Sequence, residues 1–239
     1  MRSAAGAVRR VFDWIHRLRL DELPALVVLL MVAGGIWAFS EIASEMMEGE
    51  TQDFDKMLIL AMRNPADLSD PVGPFWVEEM GRDITALGSI GVLTLVTLSV
   101  AGFLILDGKR RASLLITATV VGGLIISTMM KMSFDRPRPD LVPHGAHVYT
   151  ASFPSGHSAQ SAVVYLTLGA LLARVYRRRR LKAYVLFLAV LVTFLVGVSR
   201  VYLGVHWPTD VLGGWTLGAT WALLCWMFAF WLQRRGEME

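Results

Sequence analysis

The chain has 239 residues, of which 54% are hydrophobic and 18% are charged. Soluble globular chains contain about 45–50% apolar and about 25% charged residues, so this composition points to a lipid environment. This composition excludes a disordered tail and a collagen-like fibre. A disulfide-framed secreted module is also excluded, because the single cysteine, Cys225, has no partner within the chain. The net charge of +3 does not indicate a nucleic-acid partner, because the charges lie in short clusters between long uncharged segments.

Six apolar segments approach the length of a membrane-spanning helix, which takes roughly 20 residues to cross ~30 Å of hydrocarbon. The predicted spans are Leu23–Ser40, Ile84–Leu106, Ala112–Met130, Ser158–Ala173, Ala183–Val198 and Val211–Gln233. The fourth and fifth spans have only 16 uncharged residues each, and we expect flanking polar residues to extend them. The sequence therefore predicts an all-α, polytopic membrane protein: a single six-transmembrane-helix bundle over residues 23–233.

The distribution of lysine and arginine predicts the orientation of this bundle. The two terminal segments and the loops after the second and fourth spans hold 16 of the 23 Lys and Arg residues. Because cytoplasmic loops carry the excess of positive charge, both termini are predicted to be cytoplasmic. The loops over 40–83, 131–157 and 199–210 then face the extracytoplasmic, or periplasmic, side of the plasma (inner) membrane.

The segments outside the core of the bundle have patterns of their own. Residues 1–22 are predicted to form a cytoplasmic amphipathic segment at the membrane surface, with a cleaved signal peptide as the alternative, and residues 234–239 a cytoplasmic tail. Residues 52–63 have a similar amphipathic pattern and are expected on the outer surface. Paired glycines are expected to permit close helix contact. These are Gly34 with Gly35, Gly122 with Gly123, and Gly214 with Gly218.

Four basic residues lie where predicted spans leave the outer side of the bilayer: Lys131, Arg136, Arg138 and Arg200. Snorkelling toward lipid headgroups explains most terminal Lys and Arg residues taken singly. Four cations beside two histidines favour a different reading, because guanidinium groups match phosphate oxygens in bidentate fashion and a lysine adds a point charge. The set predicts an oxyanion-binding site.

The tetrapeptide Pro154-Ser155-Gly156-His157 precedes an apolar helical run and reads as a helix N-terminus. Ser155 is a suitable N-cap, and Gly156 allows the backbone to approach a ligand closely. The free N–H groups of such a helix start form an anion cradle.

His206 and Asp210 are the predicted catalytic pair. A neutral imidazole can attack phosphorus, while a carboxylate on its other nitrogen fixes the tautomer and stabilises the cation that forms. A second group must then protonate the leaving oxygen, and His157 is the candidate acid.

The main chemical alternative is a metal site that draws on His144, His147, His157, His206, Asp135, Asp140 and Asp210. Four nearby cations disfavour a divalent ion, so no metal or other cofactor is predicted, and His144 and His147 receive no role.

Three segments of the chain together resemble the three-part motif of the type-2 phosphatidic acid phosphatases, a superfamily that includes the vanadium haloperoxidases. They are Lys131-x6-Arg138-Pro139, Pro154-Ser155-Gly156-His157 and Ser199-Arg200-x5-His206-x3-Asp210, and the resemblance covers roughly residues 80–232. It implies a six-helix membrane bundle, no metal requirement and hydrolysis through a phosphohistidine. It also implies that His206 is the nucleophile, Asp210 its partner and His157 the general acid.

In this resemblance the phosphoryl group is bound by five residues: Lys131, Arg138, Ser155, Gly156 and Arg200. Arg136 lies outside the shared motif, so a phosphate contact by Arg136 rests on charge alone. The six predicted spans favour the lipid phosphatase branch over the soluble haloperoxidases. The substrate stays open among phosphatidate, phosphatidylglycerol phosphate, polyprenyl (undecaprenyl) diphosphate and a lipid A-type glycolipid. A lipid transporter or flippase, and a non-catalytic lipid-phosphate binder, are the alternatives from other functional classes; the oligomeric state is unknown.

Overall fold

The structure, a computed structural model, describes residues 23–142 and 150–234. The predicted amphipathic segment over 1–22, the loop histidines His144 and His147, and the tail beyond residue 234 lie outside the described residues.

The described ranges contain eight α-helices and one short β-hairpin. In chain order these are α1 (Leu23–Glu48), α2 (Gln52–Ala61), β1 (Arg63–Asn64), β2 (Asp67–Pro71), α3 (Phe75–Ala86), α4 (Ile90–Leu106), α5 (Arg110–Ser133), α6 (Gly156–Val175), α7 (Arg179–Tyr202) and α8 (Pro208–Arg234). The strands are antiparallel, with Arg63 opposite Pro71 and Asn64 opposite Asp67. The fold is helical as predicted, apart from this hairpin in the 40–83 segment.

Five of these helices are long and apolar enough to cross a bilayer: α1, α5, α6, α7 and α8. The two spans that seemed short from the sequence are full-length, since α6 has 20 residues and α7 has 24. Helix α7 gains its extra turns by starting within the arginine cluster at Arg179 and ending at Tyr202. Polar flanking residues therefore extend both helices, as expected.

The second predicted span is not one straight helix. Helix α3 ends at Ala86, α4 begins at Ile90, and the two axes differ by 48°. Ser89 has extended backbone angles and accepts a hydrogen bond from Val92 N at 3.3 Å, so it caps a new helix. The run of uncharged residues continues across this break, so the length of the run predicted one straight helix where the structure has two. The described chain has six spans only if α3 and α4 are counted as one bent crossing.

Glycine ends two of the outer helices of the bundle. Gly49 follows α1 with φ of 83° and Gly108 follows α4 with φ of 78°, a conformation that side chains disfavour. In each case the next residue donates to a carbonyl five positions back, from Glu50 N to Glu45 O at 3.0 Å and from Lys109 N to Leu104 O at 2.7 Å. These are Schellman-type C-caps that stop the helix sharply.

Helix α6 is the centre of the bundle and contacts α4, α5, α7 and α8. Its contact with α8 depends on glycine, because a Cβ on Gly218 would lie 2.3 Å from Ala159 O and one on Gly214 would lie 2.6 Å from Ser155 O. The predicted close approach is confirmed here, at Gly122 and Gly123 and at Gly35, which lies against Thr220, whereas Gly34 has no neighbour within 4 Å of such an atom. The start of α6 and the start of α8 therefore lie side by side at one end of the bundle.

Candidate active site

One cavity at this end of the bundle brings most of the predicted residues together. It has a volume of about 430 Å³, and its polar wall includes Lys131, Arg138, Gly156, His157, Arg200 and His206. The opposite wall is apolar and comes from α4 and α5, through Ile90, Leu124 and Met132. Three segments far apart in sequence thus meet around a single basic pocket that continues into an apolar groove.

His206 and Asp210 form a buried pair beside this cavity. His206 Nδ1 lies 3.2 Å from Asp210 Oδ2, and the two side chains are 2% and 0% exposed. The same carboxylate oxygen accepts Trp207 N at 2.9 Å, which links it to the start of α8. The carboxylate therefore holds the Nδ1–H tautomer of His206 and leaves Nε2 as the free nitrogen.

Burial determines the protonation state of His206. Removal from water lowers the pKa of His206 to about 4, an effect that its hydrogen bond to Asp210 opposes and the charges of Arg200 and Arg138 reinforce. The ordinary pKa of histidine is about 6.5. The imidazole is therefore neutral at neutral pH, which is the form that can act as a nucleophile.

Arg138 contacts the unprotonated nitrogen of His206, Nε2. Its Nη1 donates to Val205 O at 2.8 Å and lies 3.2 Å from His206 Nε2. Its Nε donates to Thr150 O at 3.2 Å. Burial lowers the pKa of Arg138, yet a guanidinium remains charged at neutral pH. An anion entering the cavity would meet this poorly solvated cation next to Nε2.

Lys131 and Arg200 complete the basic wall from α5 and α7. Lys131 Nζ donates to Ala151 O at 2.9 Å, and this bond uses one of its three protons. Arg200 Nη1 donates to Thr85 Oγ1 at 3.0 Å, whereas its buried Nε has no partner among the described residues. Both side chains thus keep donors free for a ligand.

The start of α6 forms the floor of the cavity. Ser155 is the N-cap, accepting Ser158 N at 3.5 Å, and its own N–H donates to Asp210 O at 2.8 Å. A Cβ on Gly156 would lie 3.4 Å from Lys131 Cε, so the glycine leaves room beside the lysine. His157 follows in the first turn and faces the same cavity as His206.

Arg136 occupies a different position from the one its charge predicted. It does not line the cavity, and its Nη1 instead donates to Asp210 Oδ1 at 2.7 Å. Its Nη2 donates to Asp55 Oδ2 at 2.6 Å. The guanidinium is thus occupied by two buried carboxylates, on the side of Asp210 away from His206.

Three further residues of the site escaped the sequence reasoning. Ser152, fully buried, donates to Asp210 Oδ2 and lies 3.3 Å from His206 Nδ1. Asp55 comes from α2, and nothing in the sequence links it to a segment 80 residues away. Gln160 lines the cavity and is 6% exposed, with an amide nitrogen that has no hydrogen-bond partner in the described part of the chain. A glutamine in an apolar span was a signal that the sequence reasoning could have used.

Within residues 23–142 and 150–234, no three His, Cys, Asp or Glu side chains are grouped so as to hold a metal ion. Two of the ligands named for the metal alternative, His144 and His147, lie outside these ranges. The donors that converge on the cavity are cations and N–H groups, which suit an anion.

The fold and the site define a membrane-embedded helical bundle with a basic, histidine-containing pocket at one end. Comparison with known protein families identifies the family, since the model of the PAP2 superfamily matches residues 92–234. The chain belongs to the PAP2 superfamily, as the three-part motif predicted, and is a multi-pass membrane protein.

Two of the relatives in sequence carry names of lipid phosphatases. Phosphatidylglycerophosphatase B of Bacillus subtilis is 35% identical over 144 residues, which is 60% of this chain and 70% of that protein. A lipid A 1-phosphatase of Rhizobium etli is 29% identical over 182 residues, covering 64% of this chain and 74% of its own. The crystal structure of a transmembrane PAP2-type phosphatidylglycerolphosphate phosphatase from Bacillus subtilis superposes with a TM-score of 0.71. That match has 27% identity and covers 87% of this chain and 98% of the other.

Proposed function

We propose that this chain is an integral-membrane lipid phosphatase that hydrolyses the phosphomonoester or diphosphate of a lipid through a phosphohistidine. One observation carries the proposal. The Nδ1 of His206 is held by Asp210, while its Nε2 faces a cavity that also contains His157 and three cations.

In the first step the phosphoryl group of the lipid binds in this cavity. Lys131, Arg138 and Arg200 neutralise its charge, and the N–H groups at the start of α6, behind Ser155 and Gly156, bind its oxygens. The phosphate takes over the contact that Arg138 makes with His206 Nε2 in the free protein, and the phosphorus then lies within reach of the nucleophile.

In the second step His206 Nε2 attacks phosphorus, and the bond from phosphorus to the lipid oxygen breaks. Asp210 stabilises the positive charge that develops on the imidazole, and His157, which takes up a proton when the anionic phosphate binds beside it, gives that proton to the departing lipid oxygen. The products are the dephosphorylated lipid and phosphohistidine 206. In the third step His157 takes a proton from water, the water oxygen attacks phosphorus, and the P–N bond breaks to release inorganic phosphate.

The apolar groove beside the cavity explains how a lipid reaches the site. Ile90 and Met132 line it and are 65% and 78% exposed, so the groove opens onto an apolar surface of the bundle. A lipid can therefore keep its tail in the membrane and place only its headgroup among the cations. The unpartnered amide of Gln160, one turn below His157, offers a donor to a substrate oxygen next to the phosphate.

Phosphatidylglycerophosphate is the first substrate to test, because the relatives named for it match this chain in sequence and fold. Undecaprenyl diphosphate, phosphatidate and a lipid A-type phosphate present the same group to the same cations and are the alternatives. We place the protein in the plasma (inner) membrane with the site on the extracytoplasmic side, so that phosphate is released there.

The test is phosphate release by the purified protein in detergent, with excess chelator, from these four lipids side by side. We expect release from at least one lipid, and a loss of ~10³-fold or more in kcat for His206→Ala. His147→Ala is the matched control, because the sequence assigns this histidine no role, and it should keep wild-type activity. Each variant is checked for yield and thermal unfolding. Absence of release from every lipid by the wild type would favour a transporter or a lipid-phosphate binder instead.

A further inference from the structure

Arg136 bridges two fully buried carboxylates that come from different parts of the chain. Its side chain is 9% exposed, and it donates to Asp210 in α8 and to Asp55 in α2 over distances of 2.7 and 2.6 Å. The indole ring of Trp207 covers the guanidinium, with its centroid 5.7 Å from Cζ. A cation held in this way by two carboxylates and an aromatic face has a fixed position.

Asp55 also holds the first turn of α8 directly. Thr209 N donates to Asp55 Oδ1 at 2.9 Å, and Thr209 Oγ1 donates to Asp55 Oδ2 at 2.7 Å. The amides at a helix start have no partner within the helix, and here a carboxylate from α2 satisfies one of them. The residue next along the chain is Asp210, so this contact fixes the backbone from which the Asp210 carboxylate projects.

The second effect of Asp55 concerns charge. If Arg136 faced Asp210 alone, the full positive charge would oppose the stabilisation that Asp210 gives to a cationic His206. Asp55 shares the charge of Arg136, so the cluster of Asp55, Arg136 and Asp210 keeps a net negative charge beside the imidazole. This charge is present where His206 becomes positive during attack.

We propose that Asp55 is a positioning residue for the catalytic pair, acting through Arg136 and Thr209 on Asp210 and thereby on His206. The inference rests on the proposed function. Asp55 lies in α2, before residues 92–234, the range that the PAP2 superfamily matches. The amphipathic helix α2 is thereby part of the active site without touching the substrate.

The test compares Asp55→Asn with Asp53→Asn in the full-length protein. Asp53 is a matched control, because it lies in the same first turn of α2 but is exposed. We expect Asp55→Asn to lower kcat by roughly 10- to 100-fold, the size of loss that a small misplacement of catalytic groups produces. KM and the inhibition constant for inorganic phosphate should stay within about 2-fold, because the cations of the cavity are untouched. Asp53→Asn should match the wild type.

A double-mutant cycle separates positioning from a general structural role. In an Asp210→Asn background, Asp55→Asn should cause little further loss of kcat, since its effect passes through Asp210. The inference would be overturned if Asp55→Asn lowered kcat by the same factor in the wild-type and Asp210→Asn backgrounds, or if Asp55→Asn alone kept the wild-type kcat.

If Asp55→Asn does not accumulate as folded protein, Thr209→Val takes its place in the same cycle, because it removes the hydroxyl that links Arg136 to Asp55 and leaves every charge in place. The proposed function fails separately, when the wild type releases no phosphate or His206→Ala remains active.

Discussion

The two ring nitrogens of His206 lie in different surroundings, and its chemistry follows from that difference. We expect the imidazole to titrate with a midpoint near pH 4, because burial lowers the pKa of His206 to about 4. The neutral nucleophile then predominates at all pH values above this midpoint, and it is lost only as the pH falls through 4. Histidine-labelled protein in detergent tests this by NMR, with His206→Ala identifying the signal among the five histidines of the chain. A midpoint between 6 and 7 would contradict the prediction.

Gln160 offers a test in which stability and activity should respond differently. Its amide nitrogen is buried without a partner among the described residues, and such a group costs about 1–3 kcal/mol of stability. Gln160→Leu should therefore leave thermal unfolding unchanged or raise its midpoint, while KM for the lipid rises because a donor to substrate is lost. Gln233→Leu is the control for KM, since Gln233 lies at the far end of α8, outside the cavity, where it accepts a hydrogen bond from Arg174. A lower unfolding midpoint with unchanged KM would show that the amide serves the fold.

The sequence predicted the residues of the cavity wall but not those that support them. Lys131, Arg138 and His157 were recognisable because several cations and two histidines gather on one side of the predicted bundle, a grouping that snorkelling of single residues does not explain. Ser152 and Asp55 gave no such signal, because a serine in a loop and a carboxylate in an acidic segment are ordinary in those places. Their roles arise from tertiary contacts with Asp210, which sequence spacing does not encode. Arg136 was assigned to the substrate phosphate on its charge alone, whereas its contacts are the chain's own carboxylates, Asp55 and Asp210.

At the scale of elements, the break between α3 and α4 lies against the active site. A Cβ on Gly88 would lie 2.4 Å from Val196 Cγ1 and 3.3 Å from His157 Cβ. Val196 is fully buried and its branched side chain has little rotational freedom, so the backbone of the break would have to move. Gly88→Ala should therefore destabilise the protein by about 1–3 kcal/mol and lower kcat. Thermal unfolding and lipid phosphate release measure the two effects.

Gly91→Ala is the matched control for Gly88→Ala. Gly91 lies in the first turn of α4, and a Cβ there would meet nothing within 4 Å. The added methyl group should be neutral or slightly stabilising, because alanine is a better helix former than glycine. If Gly91→Ala lost as much stability and kcat as Gly88→Ala, the contacts with Val196 and His157 would not be the cause of the loss.

The lengths of the helices were predictable where hydrophobicity alone decides them. Apolar length predicted the start of α1 and both ends of α5 and α8 within three residues, since a helix in lipid must satisfy its own backbone, while α1 continues eight residues beyond the predicted end at Ser40. Glycine C-caps and the serine N-cap at position 89 set the actual ends, and these depend on single residues inside or just beyond apolar runs. The hairpin of β1 and β2 was missed because it has few residues and no alternating pattern.

Contacts between distant helices constrain the membrane topology more tightly than the number of apolar segments does. Helix α2 lies at the active-site end of the bundle, because Asp55 contacts Arg136 and Thr209. Helix α5 ends at that same end with Lys131, so it begins at the opposite end near Arg110. The chain between them, α3 and α4, must therefore pass from one end to the other. We therefore infer that the bent pair of α3 and α4 forms a sixth crossing.

Cysteine labelling tests this crossing directly. In a Cys225→Ala background, Ala66→Cys lies in the exposed hairpin before α3, and Asp107→Cys lies in the exposed turn after α4. If α3 and α4 cross the membrane and the excess of Lys and Arg is cytoplasmic, a membrane-impermeant maleimide should label Ala66→Cys in spheroplasts and Asp107→Cys only after permeabilisation. Lipid phosphate release by each variant confirms that it is folded.

Labelling of both positions from the same side would mean that the pair of α3 and α4 enters the membrane and returns to the side it came from. Asp55 and the end of α5 would then lie on opposite sides of the membrane, which the contact between Asp55 and Arg136 forbids. Labelling of Asp107→Cys alone in spheroplasts would keep the crossing but reverse the orientation, and the phosphate would then be released into the cytoplasm.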